Sequence, residues 1–325
     1  MVFFPTHVTQ MGGEMSKTKG FGFILGLLLL ACYCEDKDIG YGVAPPSPDY
    51  PEIDQSPSWS PDGSTIVYYH NGTVKVDPCG SYEVNLDSVG LYFISPTGDN
   101  RRMFLKGENR LPAWSPDGKW IAFVNQAQIY KITVNGDSLT QLTFKGRNYF
   151  PAWSPDGKWI AYDSNVDNPG GGYSIWIMDS DGNNKRMLAP GRMADWSPDG
   201  KYLIFVGFHC EIYRVSVEDT SKVEKLTFLN QDDIYATENK RPVYSPDGKK
   251  IAFESNCQIW VMDADGGNLK QLTQEGGTSP AWSPDGKYIV YTRYNYAEFS
   301  DENGHLWIMD SDGKNKRQLT FRWSG

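Results

Sequence analysis

Six aromatic-headed turns punctuate this chain, and the side chains with chemical potential stand just ahead of them. Four positions before each aromatic lie Gln55, Arg110, Tyr149, Arg192, Lys240 and Thr278. Three of these are basic, and Arg147 and Arg241 stand close by, in a chain of formal net charge −9. Gathered at one mouth they would make an electropositive rim suited to an anionic ligand such as a peptide C-terminus or a sugar acid. The plainer alternative is that these are solvated side chains paired with nearby acids. The ligand-binding candidates are therefore Arg110, Tyr149, Arg192 and Lys240, together with Asp195. That aspartate fills a slot where the other copies have Ser58, Ala113, Ala152, Val243 and Ala281, all small or apolar. An acid there could bind a cation or pair with Arg192.

Metal and covalent chemistry have weaker footholds. His70, His209 and His305 are the weak metal candidates, since imidazole is a common ligand. They fall in the first, fourth and sixth copies, so convergence on one ion is not expected and no cofactor is. No Gly-x-Ser-x-Gly nucleophile elbow occurs, which argues against a serine hydrolase. The expectation is a protein without catalytic machinery.

The elements that must position these residues are legible in the repeat itself. Trp-Ser-Pro-Asp-Gly or a close variant begins at Trp59, Trp114, Trp153, Trp196, Tyr244 and Trp282, with spacings of 55, 39, 43, 48 and 38 residues. A period near 40 marks an array of supersecondary units. After each turn comes a short apolar run such as Trp120-Ile121-Ala122-Phe123, then a second such as Ile175-Trp176-Ile177-Met178. An Asp-Gly turn and a closing Leu-Thr complete the unit, as in Gln271-Leu272-Thr273. Short β-branched and aromatic runs cut by Pro-Asp-Gly and Asp-Gly read as strands joined by tight hairpins. Four strands per unit cannot cover both faces of their own sheet, whereas six units packed radially can, with the repeated Trp filling the wedge between neighbours. The fold class expected is all-β, a six-bladed β-propeller of four-stranded antiparallel blades. Trp323-Ser324 is a faint hint of a seventh start.

These motifs resemble the propeller repeats of the TolB family, periplasmic proteins of the Tol–Pal envelope system, and the wider WD40-like class. The resemblance runs from about Pro57 to Thr320. It implies a protein-binding role in the envelope. Related blades also occur in prolyl oligopeptidase-like proteases and in oligogalacturonate lyases, so the alternative is a metal-dependent carbohydrate-active enzyme. Only about 25 residues separate Cys32 from the first turn, too few for the α/β domain that precedes the propeller in TolB itself.

The beginning of the chain reads as targeting sequence. Residues 1–14 show no periodicity, and Met15 opens a basic segment with Lys17 and Lys19, which makes it the alternative start. An eleven-residue apolar run from Phe21 to Ala31 suits a signal peptide and is too short to span a bilayer. It ends Leu29-Leu30-Ala31-Cys32, which resembles the bacterial lipobox, so Cys32 is the expected lipidation site. The domains expected are a signal peptide over 1–31, a flexible proline-bearing tether over 32–55 and the propeller over 56–325.

Composition closes off other classes. The acidic balance without Lys/Arg runs argues against nucleic acid as a partner. Of the five cysteines, Cys34 neighbours Cys32 and Cys79 has no evident partner. Cys210 and Cys257 hold equivalent places in adjacent repeats; a disulfide between them would need Cα atoms within about 7 Å, closer than equivalent strands of neighbouring blades normally come, so their pairing stays open. The long insertions, at 70–90, 163–173, 228–241 and 293–304, all fall in connections that leave one face of a propeller. Rigid scaffolds carry binding on such loops. The combined expectation is a membrane-anchored binding or scaffolding module of the bacterial cell envelope, lipid-tethered in the periplasm or at the outer membrane. Its partner would be an envelope protein or peptide.

Overall fold

The computed structural model describes residues 53–76, 82–168, 171–227, 238–294 and 304–321. The signal segment, Cys32, Cys34, Cys79, most of the tether, Trp323 and the centres of the insertions at 228–241 and 293–304 lie outside the described residues. No helix among the described residues is long and apolar enough to cross a membrane.

Six four-stranded antiparallel sheets follow one another along the chain, each built from consecutive main strands. Their innermost strands are Asp54–Trp59, Arg110–Trp114, Asn148–Trp153, Arg192–Trp196, Asn239–Tyr244 and Thr278–Trp282. These define blades one to six, as the repeat predicts. An extra hairpin, Thr73–Val76 with Tyr82–Val84, decorates the second connection of blade one.

The Ser-Pro-Asp-Gly turn locks in the same way each time. In blade two the Ser115 hydroxyl donates to Asp117 Oδ1 at 2.6 Å. The same carboxylate oxygen accepts the Lys119 amide at 3.0 Å, while Ser115 Oγ accepts the Trp120 amide at 2.9 Å. Blades three to six repeat all three bonds. The turn glycines adopt φ of 70–72°, a region that costs glycine little. The turns also form a ring of their own, each glycine facing the turn proline of the preceding blade. Gly118 faces Pro61 and, closing the circle, Gly63 faces Pro284.

Alternate residues of a strand point to opposite faces, and here both faces are covered. Val67 and Tyr69 pack toward blade two, whereas Ile66 and Tyr68 pack toward blade six. That explains why the second strands read as unbroken apolar runs. Each junction has its own cluster, and the repeated aromatic packs into it, as Trp196 does among Ala161, Ile175 and Ile177 of blade three. Indole N–H groups reach back across three junctions: Trp59 to Ala281 O at 3.2 Å, Trp153 to Ala113 O at 3.2 Å and Trp196 to Ala152 O at 3.0 Å.

Among the described residues no strand is exchanged between the first and last blades, and side chains and loops join them at the seam. The Ile53 and Asp54 amides both donate to Gly304 O at 2.8 Å. Thr292 Oγ1 donates to Asp54 O at 2.9 Å, and Arg101 Nη1 to Phe321 O at 3.0 Å. Trp59, Tyr68 and Tyr92 of blade one share a core with Leu306, Ile308 and Leu319 of blade six.

Candidate functional site

Every innermost strand breaks register in the same place. The pairing skips from the residue four before the aromatic to the residue one before it, for instance from Arg110 to Ala113. The residue three before the aromatic takes a left-handed backbone in all six blades: Ser56, Leu111, Phe150, Met193, Arg241 and Ser279, with φ between 49° and 57°. A bulge of this kind turns a side chain away from its ladder direction. All six residues line the central channel. Five of them are followed by proline, which donates no hydrogen bond and tolerates the broken ladder.

The channel holds a cavity of about 480 Å³ that runs along the inner strands to the turn prolines Pro116, Pro198, Pro246 and Pro284. Its wall is mostly proline, alanine and aromatic, and its charged residues are Arg241 and Asp195. Arg241 donates to Ser279 Oγ, lies 4.0 Å from Glu254, and sits over the Phe150 ring at 5.9 Å. Asp195 Oδ2 accepts the Tyr244 amide of the next blade at 2.9 Å. Ser58 does the same for the Trp114 amide, so the slot serves as a bridge between inner strands. Burial pushes the Asp195 carboxyl up to about 6, against the lowering effect of the Tyr244 and Trp196 amides.

The residues singled out by sequence position are placed differently. Arg110 forms a fork on Glu108, at 2.9 and 2.7 Å. Arg192 lies 3.8 Å from Asp163 and over the Tyr173 ring, and Lys240 is 2.9 Å from Glu238. Tyr149 is buried in the junction between blades two and three. None of the four lines the cavity, because the bulge hands the channel-facing direction to the next residue. Each basic one has an acid beside it, the plainer of the two sequence readings. Asp195 does not pair with Arg192, whose carboxylate neighbour is Asp163. The proline that follows five of these six channel residues is the one trace of them in the sequence; Met193, followed by Ala194, lacks it.

The structure also gathers a cluster that spacing did not reveal. Asp54, fully buried, receives His70 Nδ1 at 2.8 Å on one oxygen and His305 Nδ1 at 2.9 Å on the other. Thr320 Oγ1 donates to it at 2.5 Å, and Arg101 Nη2 lies 3.4 Å away. Burial pushes this carboxyl up, but the bonds from His305 and His70 and the charges of His70 and Arg101 outweigh it and hold it far below the usual range. A carboxylate only accepts, so both Nδ1 atoms carry hydrogen. Both Nε2 atoms are buried without a hydrogen-bond partner among the described residues. His305 stands where Gln128 reaches Asn148 between blades two and three, which marks the cluster as the seam's version of a junction contact. Two of the three histidines thus meet, across adjacent blades, while His209 lies in the short turn Phe208–Cys210 of blade four. No group of three or more His, Cys, Asp and Glu is arranged to hold a metal ion among the described residues. Cys210 takes part in a disulfide, and Cys257 is not its partner.

Comparison with known proteins places this geometry. The family described as the TolB beta propeller domain matches residues 163–324. The uncharacterized protein Atu1656 of Agrobacterium fabrum is 30% identical over 196 residues, covering 57% of this chain and 65% of that protein. TolB from Acinetobacter baumannii superposes with a TM-score of 0.62 at 26% identity, covering 78% of this chain and 62% of that one. The chain therefore spans less than two thirds of the length of either. An oligogalacturonate lyase solved with manganese has a TM-score of 0.54 at 12% identity, a likeness of fold alone. The class is a six-bladed propeller of Ser-Pro-Asp-Gly blades around a bulge-lined channel. Within that class, the chain is a TolB-like propeller.

Proposed function

We propose that this chain is a non-catalytic binding module of the bacterial cell envelope that receives a segment of a partner protein at its channel. The observation that carries this reading is the cavity. A preformed hollow walled by proline and aromatic side chains, with few polar groups, is the ordinary form of a recognition site. The likeness to TolB, which its relatives' names place in the Tol–Pal system, supports the envelope setting. Antiparallel order sends the connections between second and third strands, and those between blades, to one face. The long insertions on that face would add contacts around the partner. Lipidation at Cys32 would hold the module at the membrane; Cys32→Ala should then release it to the soluble fraction.

The direct test is a photo-cross-linking residue at Phe150, in the channel wall, and at Leu139, exposed on an outer strand. Cross-linking in intact cells should give a discrete adduct with an envelope protein from position 150 and none from 139. Equal adducts, or none, would remove the channel from consideration.

A further inference from the structure

The channel wall contains an acid that the fold alone does not require. Five blades complete the slot before the aromatic with Ser58, Ala113, Ala152, Val243 or Ala281, and blade four uses Asp195. A serine makes the same bridge to the next strand in blade one. The charge is therefore surplus to the bridging role.

That charge is also uncompensated. Among the described residues no cationic side chain lies within 4 Å of Asp195. The other charged residue of the wall, Arg241, is committed to Ser279 and Glu254. A half-buried carboxylate without a counter-ion is costly, and a guest that supplies the opposite charge removes the cost. The same wall carries Phe150, Trp153, Trp196 and Tyr244, and aromatic rings attract organic cations. A hard divalent ion would need several oxygen ligands, and this wall offers one carboxylate.

We propose that Asp195 is the specificity-determining acid of the channel, receiving an organic cation presented by the bound segment: a lysine or arginine side chain, or an amino terminus. This rests on the reading of the channel as the recognition site. The groups sharing the surroundings of Asp195 are Tyr244, whose hydroxyl is pushed up to about 12 chiefly by burial, and Arg241; Asp199 and Arg214 flank Tyr244. Because Asp195 titrates near 6, cation binding should weaken by about tenfold per pH unit below that point.

The experiment uses the full chain and three probes: acetyl-Gly-Gly-Lys-Gly-Gly-amide, its Gln counterpart, and pentaglycine amide with a free amino terminus. Binding is read by calorimetry and by fluorescence of the wall tryptophans. The lysine peptide should bind about tenfold tighter than the glutamine peptide at neutral pH, and Asp195→Asn should erase that difference. Preferential binding of pentaglycine amide instead would identify the amino terminus as the source of the cation. Asn keeps an acceptor for the Tyr244 amide, and unchanged urea unfolding cooperativity would show that the fold survives. Equal binding of the Lys and Gln peptides with no binding of pentaglycine amide, or discrimination that persists in Asp195→Asn, would overturn the inference. Cross-linking at position 150 separates the two readings. Adducts undiminished in Asp195→Asn leave the binding module standing and sink this inference. Asp195-dependent peptide binding without any adduct does the reverse.

Discussion

Asp54 and Asp195 are both enclosed aspartates, and their surroundings drive them in opposite directions. Asp54 has two imidazoles, a hydroxyl and a guanidinium around it, so its folded-state pKa is depressed. A depressed carboxyl contributes stability that is present above its unfolded value near 3.8 and is lost as pH falls below it. Asp54→Asn should therefore destabilise the protein by about 3 kcal/mol at neutral pH, since it removes the buried charge that both imidazoles and Arg101 gather around. Urea titration measures this. Asp195 is the reverse case, with a folded pKa raised to about 6. Its ionisation penalises the native state above that pH, and the penalty fades between about 6 and 4 as the folded form takes up its proton. Asp195→Asn should raise stability at neutral pH by up to about 3 kcal/mol, less for the opening toward the cavity, and the gain should shrink toward pH 4. Parallel urea curves at two pH values would show no such convergence if the aspartate were neutral throughout.

At the scale of the elements, the turns carry the fold and their tolerance depends on the neighbouring blade. Gly266 has φ of 90°, and an added Cβ would lie 2.3 Å from Leu226 O of the preceding blade. Gly136 has a similar φ of 84° with open space around it. Gly136→Ala should cost only the backbone strain, about 1 kcal/mol. Gly266→Ala should cost several times more, because backbone must move as well. Thermal melts of the two variants compare them directly. Strand identity and turn chemistry were readable because Pro, Asp and Gly specify backbone geometry locally. The bulge was not, since a left-handed Leu111 or Phe150 follows from closing six strands around an axis and not from its own preference. So position four before the aromatic gave Arg110 and Arg192, whereas the channel took Leu111 and Met193.

At the scale of the whole molecule the seam is the distinctive feature. Equivalent amides report on it: Ile129, Ile259 and Leu306 each donate to the threonine that ends their own blade, Thr143, Thr273 and Thr320. Only Thr320 is also tied to the Asp54 cluster. Arg101→Ala should speed native-state hydrogen exchange of the Leu306 amide by about tenfold, a loss near 1.4 kcal/mol, while Ile129 keeps its rate. Uniform acceleration would mean that the ring loosens as one body. The seam escaped sequence reading because His70 and His305 are 235 positions apart and meet only when the ring closes.

The letters alone determined the number of blades, the strands within each and the aromatic wedges between them. Those features follow from local turn geometry and from short unbroken apolar runs that must be covered on both faces. Only the closed ring decided which side chains enter the channel, which basic residues are neutralised by neighbours, and that two distant histidines share one carboxylate. Each of those depends on where a backbone bulge or a foreign blade puts an atom to within an ångström or two, and no spacing along the chain encodes that distance.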